Sequence, residues 1–191
     1  MNLAVSAIVI GASAGGVDAL LPLLANLGPT SPPALVVLHL PRDRPSMLQG
    51  IFSRACSIPV HQALDKQPLR PGELVFAPPD YHLLVERGPE LSLSVDPPVH
   101  FSRPSVDVLF TSAADQFRER LLAIVLTGGN EDGAAGAAAV RRFGGRVVVQ
   151  DPARARSPEM PTAALAQVPD ADVLGLDEIG ALLRAATHSE A

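Results

Sequence analysis

Short apolar runs of Val, Ile and Leu alternate with longer stretches of helical composition along this 191-residue sequence, a pattern that commits the chain to a sheet covered on both faces. Strands are expected at 7–10, 34–38, 58–61, 121–126 and 146–150, with a further one near Val173. Helices are expected at 17–27, 46–56, 134–143 and 177–186, with a short one near Thr162 and one capped by Ser105 that runs to about Arg118. The fold class predicted is α/β: a three-layer α/β/α sandwich on a doubly wound, mostly parallel sheet. Between 72 and 95 the rhythm changes. Runs at 73–77, 81–86 and 91–95 are joined by Pro-Pro-Asp and Arg-Gly-Pro turns and read as a small antiparallel insertion.

The chain is 47% hydrophobic, enough to bury a core and too much for disorder despite nineteen prolines, so residues 1–191 are expected to form one domain. A net charge of -5, with fifteen Lys and Arg dispersed along the chain, argues against nucleic-acid binding. The lone Cys56 excludes an internal disulfide and a cysteine-rich zinc site, and it suits a reducing compartment. No cationic region precedes the first apolar run, and Gly11, Gly15 and Gly16 cut that run far short of a membrane span. A cytoplasmic protein without membrane insertion is the expectation.

In open α/β sheets, chemistry gathers where loops leave the carboxyl ends of strands. Three such ends carry Ser13, His39 and Asp132, the side-chain types of a hydrolytic triad. The glycines of Gly11-Ala12-Ser13-Ala14-Gly15-Gly16 permit a sharp strand-to-helix turn that exposes the Ser13 hydroxyl near a helix N-terminus. The same loop could cradle a phosphate. However, Ser13 replaces the second glycine of G-x-G-x-x-G and no Gly-Lys-Ser/Thr follows, so both nucleotide fingerprints fail. Taken singly, His39 could simply be a satisfied structural histidine, and Asp132 only the N-cap of the helix at 134. His61 and His82 are placed to approach the same sheet edge, whereas His100 and His188 read as peripheral.

The segments IVIGASAGG (8–16), VVLHLP (36–41), FAPPDYHL (76–83), RPSVDVLF (103–110), LTGGNEDGAAG (126–136) and VVVQDPARARSPEMP (147–161) together resemble the catalytic domain of chemotaxis protein-glutamate methylesterases, the CheB family. The resemblance spans nearly the whole chain in order. It implies Ser13 as nucleophile, His39 as base and Asp132 as the acid that orients His39. The implied activity is hydrolysis of glutamyl methyl esters on the cytoplasmic domain of methylated chemoreceptors or a related protein, often with glutamine deamidation, and it implies no cofactor and no metal. The N–H groups of Ala14, Gly128 and Gly129 are the candidate oxyanion hole. Arg103 is a candidate for meeting receptor carboxylates, with a surface salt bridge as the alternative.

Three departures from the family pattern stand out. Members typically carry an N-terminal receiver domain, whereas this sequence begins at the first catalytic strand; a free-standing esterase domain is expected, with a fragment of a longer protein as the alternative. The acidic loop has Gly129 where a methionine is common, and Ala14 follows Ser13 where a hydroxyl residue is frequent. A catalytically impaired binding or regulatory domain is therefore the competing reading, and a nucleotide-binding domain a third.

Overall fold

The computed structural model describes residues 5–39 and 47–187. Strands β1 (Ala7–Ala12), β2 (Ala34–Leu38), β3 (Val60–Gln62), β4 (Leu74–Phe76), β7 (Leu121–Val125), β8 (Arg146–Gln150) and β9 (Asp172–Leu174) form one sheet in the order β3-β4-β2-β1-β7-β8-β9. Every pairing within it is parallel. Strands β5 (His82–Glu86) and β6 (Glu90–Ser94) form a separate antiparallel hairpin.

The expected insertion is smaller than its sequence suggests. The run at 73–77 contributes β4, which lies between β3 and β2 in the main sheet. Its residues Leu74, Val75 and Phe76 are all buried, as a strand covered on both faces requires, whereas β5 and β6 each end on half-buried or exposed residues. Only the latter two leave the sheet.

Alternation along the strands divides the core in two. One layer packs Val9, Leu35, Val37, Ala123 and Val149 against α3 (Val106–Phe117), α4 (Ala134–Arg142), α5 (Glu159–Gln167) and the hairpin. The other packs Ile8, Ile10, Val36 and Ile124 against α1 (Gly16–Leu24), α2 (Leu48–Phe52) and α6 (Leu176–Thr187). The helix expected from 46 begins at Leu48; Ser46, like Leu40 and Pro41 of the His-Leu-Pro motif, lies outside the described residues. No helix among the described residues is long and apolar enough to cross a membrane.

The strand order reverses at β1, which pairs with β2 on one side and β7 on the other. The carboxyl ends of these three strands open the crevice where doubly wound folds hold their ligands. Gly11 admits α3 to this point, since a Cβ there would lie 2.3 Å from Val106 Cγ1.

Candidate active site

Ser13 and His39 continue the ladders at the end of β1 and β2. The Ser13 N–H donates to the Thr127 carbonyl at 2.9 Å, and the His39 N–H to the Ala12 carbonyl at 3.1 Å. The last β1–β2 register pair is Ala12 with Leu38, so Ser13 and His39 come next, side by side. Ala12 and Leu38 belong to the α1 layer, and strand alternation turns the following pair toward the α3 layer. Gly15 has φ +78, the left-handed turn that starts α1 two residues beyond Ser13.

Asp132 is fully buried, where a carboxylate is costly unless it is hydrogen-bonded. Four donors meet it. His39 Nε2 at 2.8 Å and the Val106 N–H at 2.7 Å approach Oδ2, while the Ser105 hydroxyl at 2.7 Å and the Asp107 N–H at 3.0 Å approach Oδ1. Two of these are the opening N–H groups of α3, so the carboxylate sits on that helix's N-terminus. Burial pushes its pKa up. His39, then the Asp107 N–H, the Ser105 hydroxyl and the Val106 N–H outweigh burial and hold the carboxyl below its ordinary value. The N-cap of α4 is Gly133; Asp132 caps, but on α3.

A carboxylate only accepts, so His39 Nε2 carries the proton of the neutral ring and Nδ1 is the basic nitrogen. Nδ1 faces the Ser102 hydroxyl at 3.4 Å, a long hydrogen bond. The Ser13 hydroxyl makes no hydrogen bond with any described residue. The structure thus joins His39 to Asp132 directly and sets the Ser13 backbone beside that of His39.

The loop amides divide. The Gly128 N–H donates to the Ser157 carbonyl at 3.0 Å, which removes Gly128 from the expected oxyanion hole. The N–H groups of Ala14 and Gly129 bond to no described residue, and Gly129 borders open space. Thr127, given no role from sequence, ties the two loops: its hydroxyl donates to the Ala14 carbonyl at 2.8 Å and accepts the Ser157 N–H at 2.9 Å.

Arg103 is committed elsewhere. Its guanidinium donates to Asp80 Oδ1 at 2.8 and 3.1 Å and to the carbonyls of Val95 and Asp96 at 2.7 and 3.1 Å, and the side chain is 18% exposed. This is the salt-bridge alternative, and it pins the segment before Pro104 to the loop after β4.

The remaining histidines separate too. His82 is buried under the start of α3, accepting the Ser105 N–H on Nδ1 at 3.2 Å and therefore donating from Nε2 to the Pro97 carbonyl at 3.1 Å. His61 lies on edge strand β3 beside Gln67 and Glu73. His100, expected to be peripheral, stands 3.3 Å from both Asp107 Oδ2 and Glu131 Oε1, next to the Asp132 cluster. His188 lies outside the described residues.

A family model described as CheB methylesterase matches residues 8–183. The chain belongs to the CheB methylesterase family. Its CheB relatives include a putative protein-glutamate methylesterase/protein-glutamine glutaminase of Leptospira interrogans, 39% identical over 178 residues that cover 92% of each chain. A protein-glutamate methylesterase/protein-glutamine glutaminase of Rhodospirillum rubrum is 41% identical over 75% of this chain and 39% of its own length. The chain thus spans the Leptospira relative nearly end to end but well under half of the Rhodospirillum one. The CheB methylesterase catalytic domain of Thermotoga maritima superposes with a TM-score of 0.89 at 28% identity, covering 95% of this chain and 98% of that one. The α/β/α architecture and the hairpin are therefore those of the CheB catalytic domain.

Proposed function

We propose that this chain, as one domain over residues 1–191, is a serine hydrolase of protein glutamyl methyl esters that acts in the cytoplasm on methylated chemoreceptors or a related protein, with glutamine deamidation as a second activity. The observation that carries this reading is the bond from part-buried His39 to the buried Asp132 carboxylate, beside the Ser13 turn at the sheet's switch point, in a chain of the CheB family.

In the proposed reaction, His39 Nδ1 takes the Ser13 proton as Ser13 Oγ attacks the ester carbonyl. Use of Nδ1 follows from the bond that occupies Nε2. Asp132, kept ionised by its four donors, holds the ring tautomer and stabilises the imidazolium. The Ala14 and Gly129 N–H groups receive the tetrahedral oxyanion. The tetrahedral intermediate collapses, and methanol leaves with the proton held by His39. Water, deprotonated by the same nitrogen, then cleaves the glutamyl-enzyme ester to give the free carboxylate and restore Ser13. With a glutamine side chain, ammonia takes the place of methanol. No cofactor or metal enters these steps.

Methanol release from methylated chemoreceptor membranes tests the reading. The wild type is expected to release methanol, with the rate falling at least about a thousandfold in Ser13→Ala. Equal release by both proteins would show that another group attacks the ester.

A further inference from the structure

We propose that Ser102 is a positioning residue for the base: its hydroxyl accepts the Nδ1–H of His39 while the ring carries the Ser13 proton, and so favours the imidazolium through which the reaction passes. The proposal rests on the hydrolase reading above and adds a fourth side chain to its machinery.

Ser102 Oγ lies 3.4 Å from His39 Nδ1 and 3.4 Å from the His100 carbonyl oxygen. A hydroxyl has one hydrogen to give and two lone pairs with which to accept. In the resting enzyme both neighbours are acceptors, because the one N–H of the neutral ring is at Nε2, against Asp132. The single hydroxyl hydrogen then serves only one of them. Once Nδ1 has taken the Ser13 proton, that nitrogen becomes a donor. Oγ gives its hydrogen to the His100 carbonyl and accepts from Nδ1–H, so both contacts become hydrogen bonds. Ser102 is therefore better satisfied beside the imidazolium than beside the neutral ring, and an interaction that strengthens on the way to the transition state accelerates the reaction. No proton passes to Ser102, which keeps its own hydrogen throughout. Both distances are long for hydrogen bonds, as catalytic contacts in a resting enzyme often are before substrate tightens them.

The backbone that carries Ser102 is built for this placement. Val99 and Ser102 close a two-residue turn by exchanging backbone hydrogen bonds of 3.1 and 2.8 Å. The central residues, His100 and Phe101, have φ of 46 and 62, the left-handed region that turns of this length usually fill with Asn and Gly. Such a conformation in two bulky residues persists only where the surroundings hold it, and it is a mark of functional segments. Here the His100 ring stands 3.3 Å from Asp107 Oδ2 on α3 and 3.3 Å from Glu131 Oε1 in the loop before α4. Asp132 follows Glu131 in that loop and takes its donors from the start of α3. The turn is thus registered to the same two elements that fix Asp132. One frame sets Asp132 on the Nε2 side of His39 and Ser102 on the Nδ1 side.

The test measures kcat and KM on an aryl acetate and on methylated receptor membranes for the wild type, Ser13→Ala, Ser102→Ala and Ser102→Thr. In Ser102→Ala, kcat should fall about tenfold on both substrates with KM near wild type, since the lost hydrogen bond is to a group charged only during the reaction. Ser102→Thr keeps the hydroxyl and should retain most of the wild-type kcat. An unchanged kcat in Ser102→Ala, beside an inactive Ser13→Ala, would overturn the role of Ser102 and leave the hydrolase reading intact. An equal loss in Ser102→Thr would also overturn it, because the site would then be sensing side-chain volume and not the hydroxyl. A Ser13→Ala variant as active as the wild type would refute the hydrolase reading itself, and the role of Ser102 with it.

Discussion

Asp107 and Asp132 cap each other's helices. Asp132, just before α4, accepts the N–H groups of Val106 and Asp107 that open α3. Asp107, in the first turn of α3, accepts on Oδ1 the N–H groups of Gly133 and Gly136 that open α4. Each carboxylate thereby meets the positive end of the helix its partner introduces, and the pair locks α3 against α4 beneath the proposed triad.

The two carboxylates should respond differently to neutralisation. Asp132→Asn turns an acceptor into an amide donor that faces N–H or hydroxyl donors in a fully buried site, at a cost of about 1–3 kcal/mol in stability. Asp107→Asn keeps an acceptor for Gly133 and Gly136 and removes a charge that burial, and after it repulsion from Asp132, disfavours, so stability near neutral pH should change by less than about 1 kcal/mol. Urea unfolding of both variants at pH 7 provides the comparison.

Acid should expose the contribution of Asp132. Its carboxyl is depressed on folding, so the stability it supplies is present above the unfolded pKa of about 3.9 and is lost as pH falls through the lower folded value. Asp107 is raised chiefly by burial, with the sign reversed: its favourable share exists below the unfolded pKa and is lost as pH rises through the folded value. Denaturation midpoints taken from pH 7 downward should fall less steeply below about pH 4 in Asp132→Asn than in the wild type.

Thr127→Val preserves shape but deletes the hydroxyl that joins the Ala14 carbonyl to the Ser157 N–H. We expect a stability loss of about 1–2 kcal/mol. The loop beside Ser13 loosens as well, and kcat should drop while KM on a small ester stays near wild type. Kinetics on an aryl acetate measure this split.

The layered fold was legible because its signal is local: apolar runs mark strands, and the Ser105 cap marks the start of α3 where the structure has it. β4 was drawn into the hairpin because its short run follows the same Pro-rich punctuation, although Leu74, Val75 and Phe76 lack the alternation of a half-exposed strand. At the candidate site, side-chain type and place at a strand end were readable, but partners were not. Asp132 was legible as a capping residue on the wrong helix, since nothing in the sequence brings 132 to the start of α3. The commitment of Gly128 to Ser157, of Arg103 to Asp80 and of His100 to Asp107 and Glu131 likewise arises only when distant loops meet.

Ser102 stands at His39 Nδ1, the nitrogen proposed to activate Ser13, and covalent labelling decides which of the two hydroxyls is activated. The most direct measurement is peptide mapping after reaction with a fluorophosphonate, a probe that traps an activated serine. A single adduct on Ser13, lost in Ser13→Ala and retained in Ser102→Ala, is the predicted result. An adduct on Ser102, or no adduct on the folded wild type, would contradict the proposed triad.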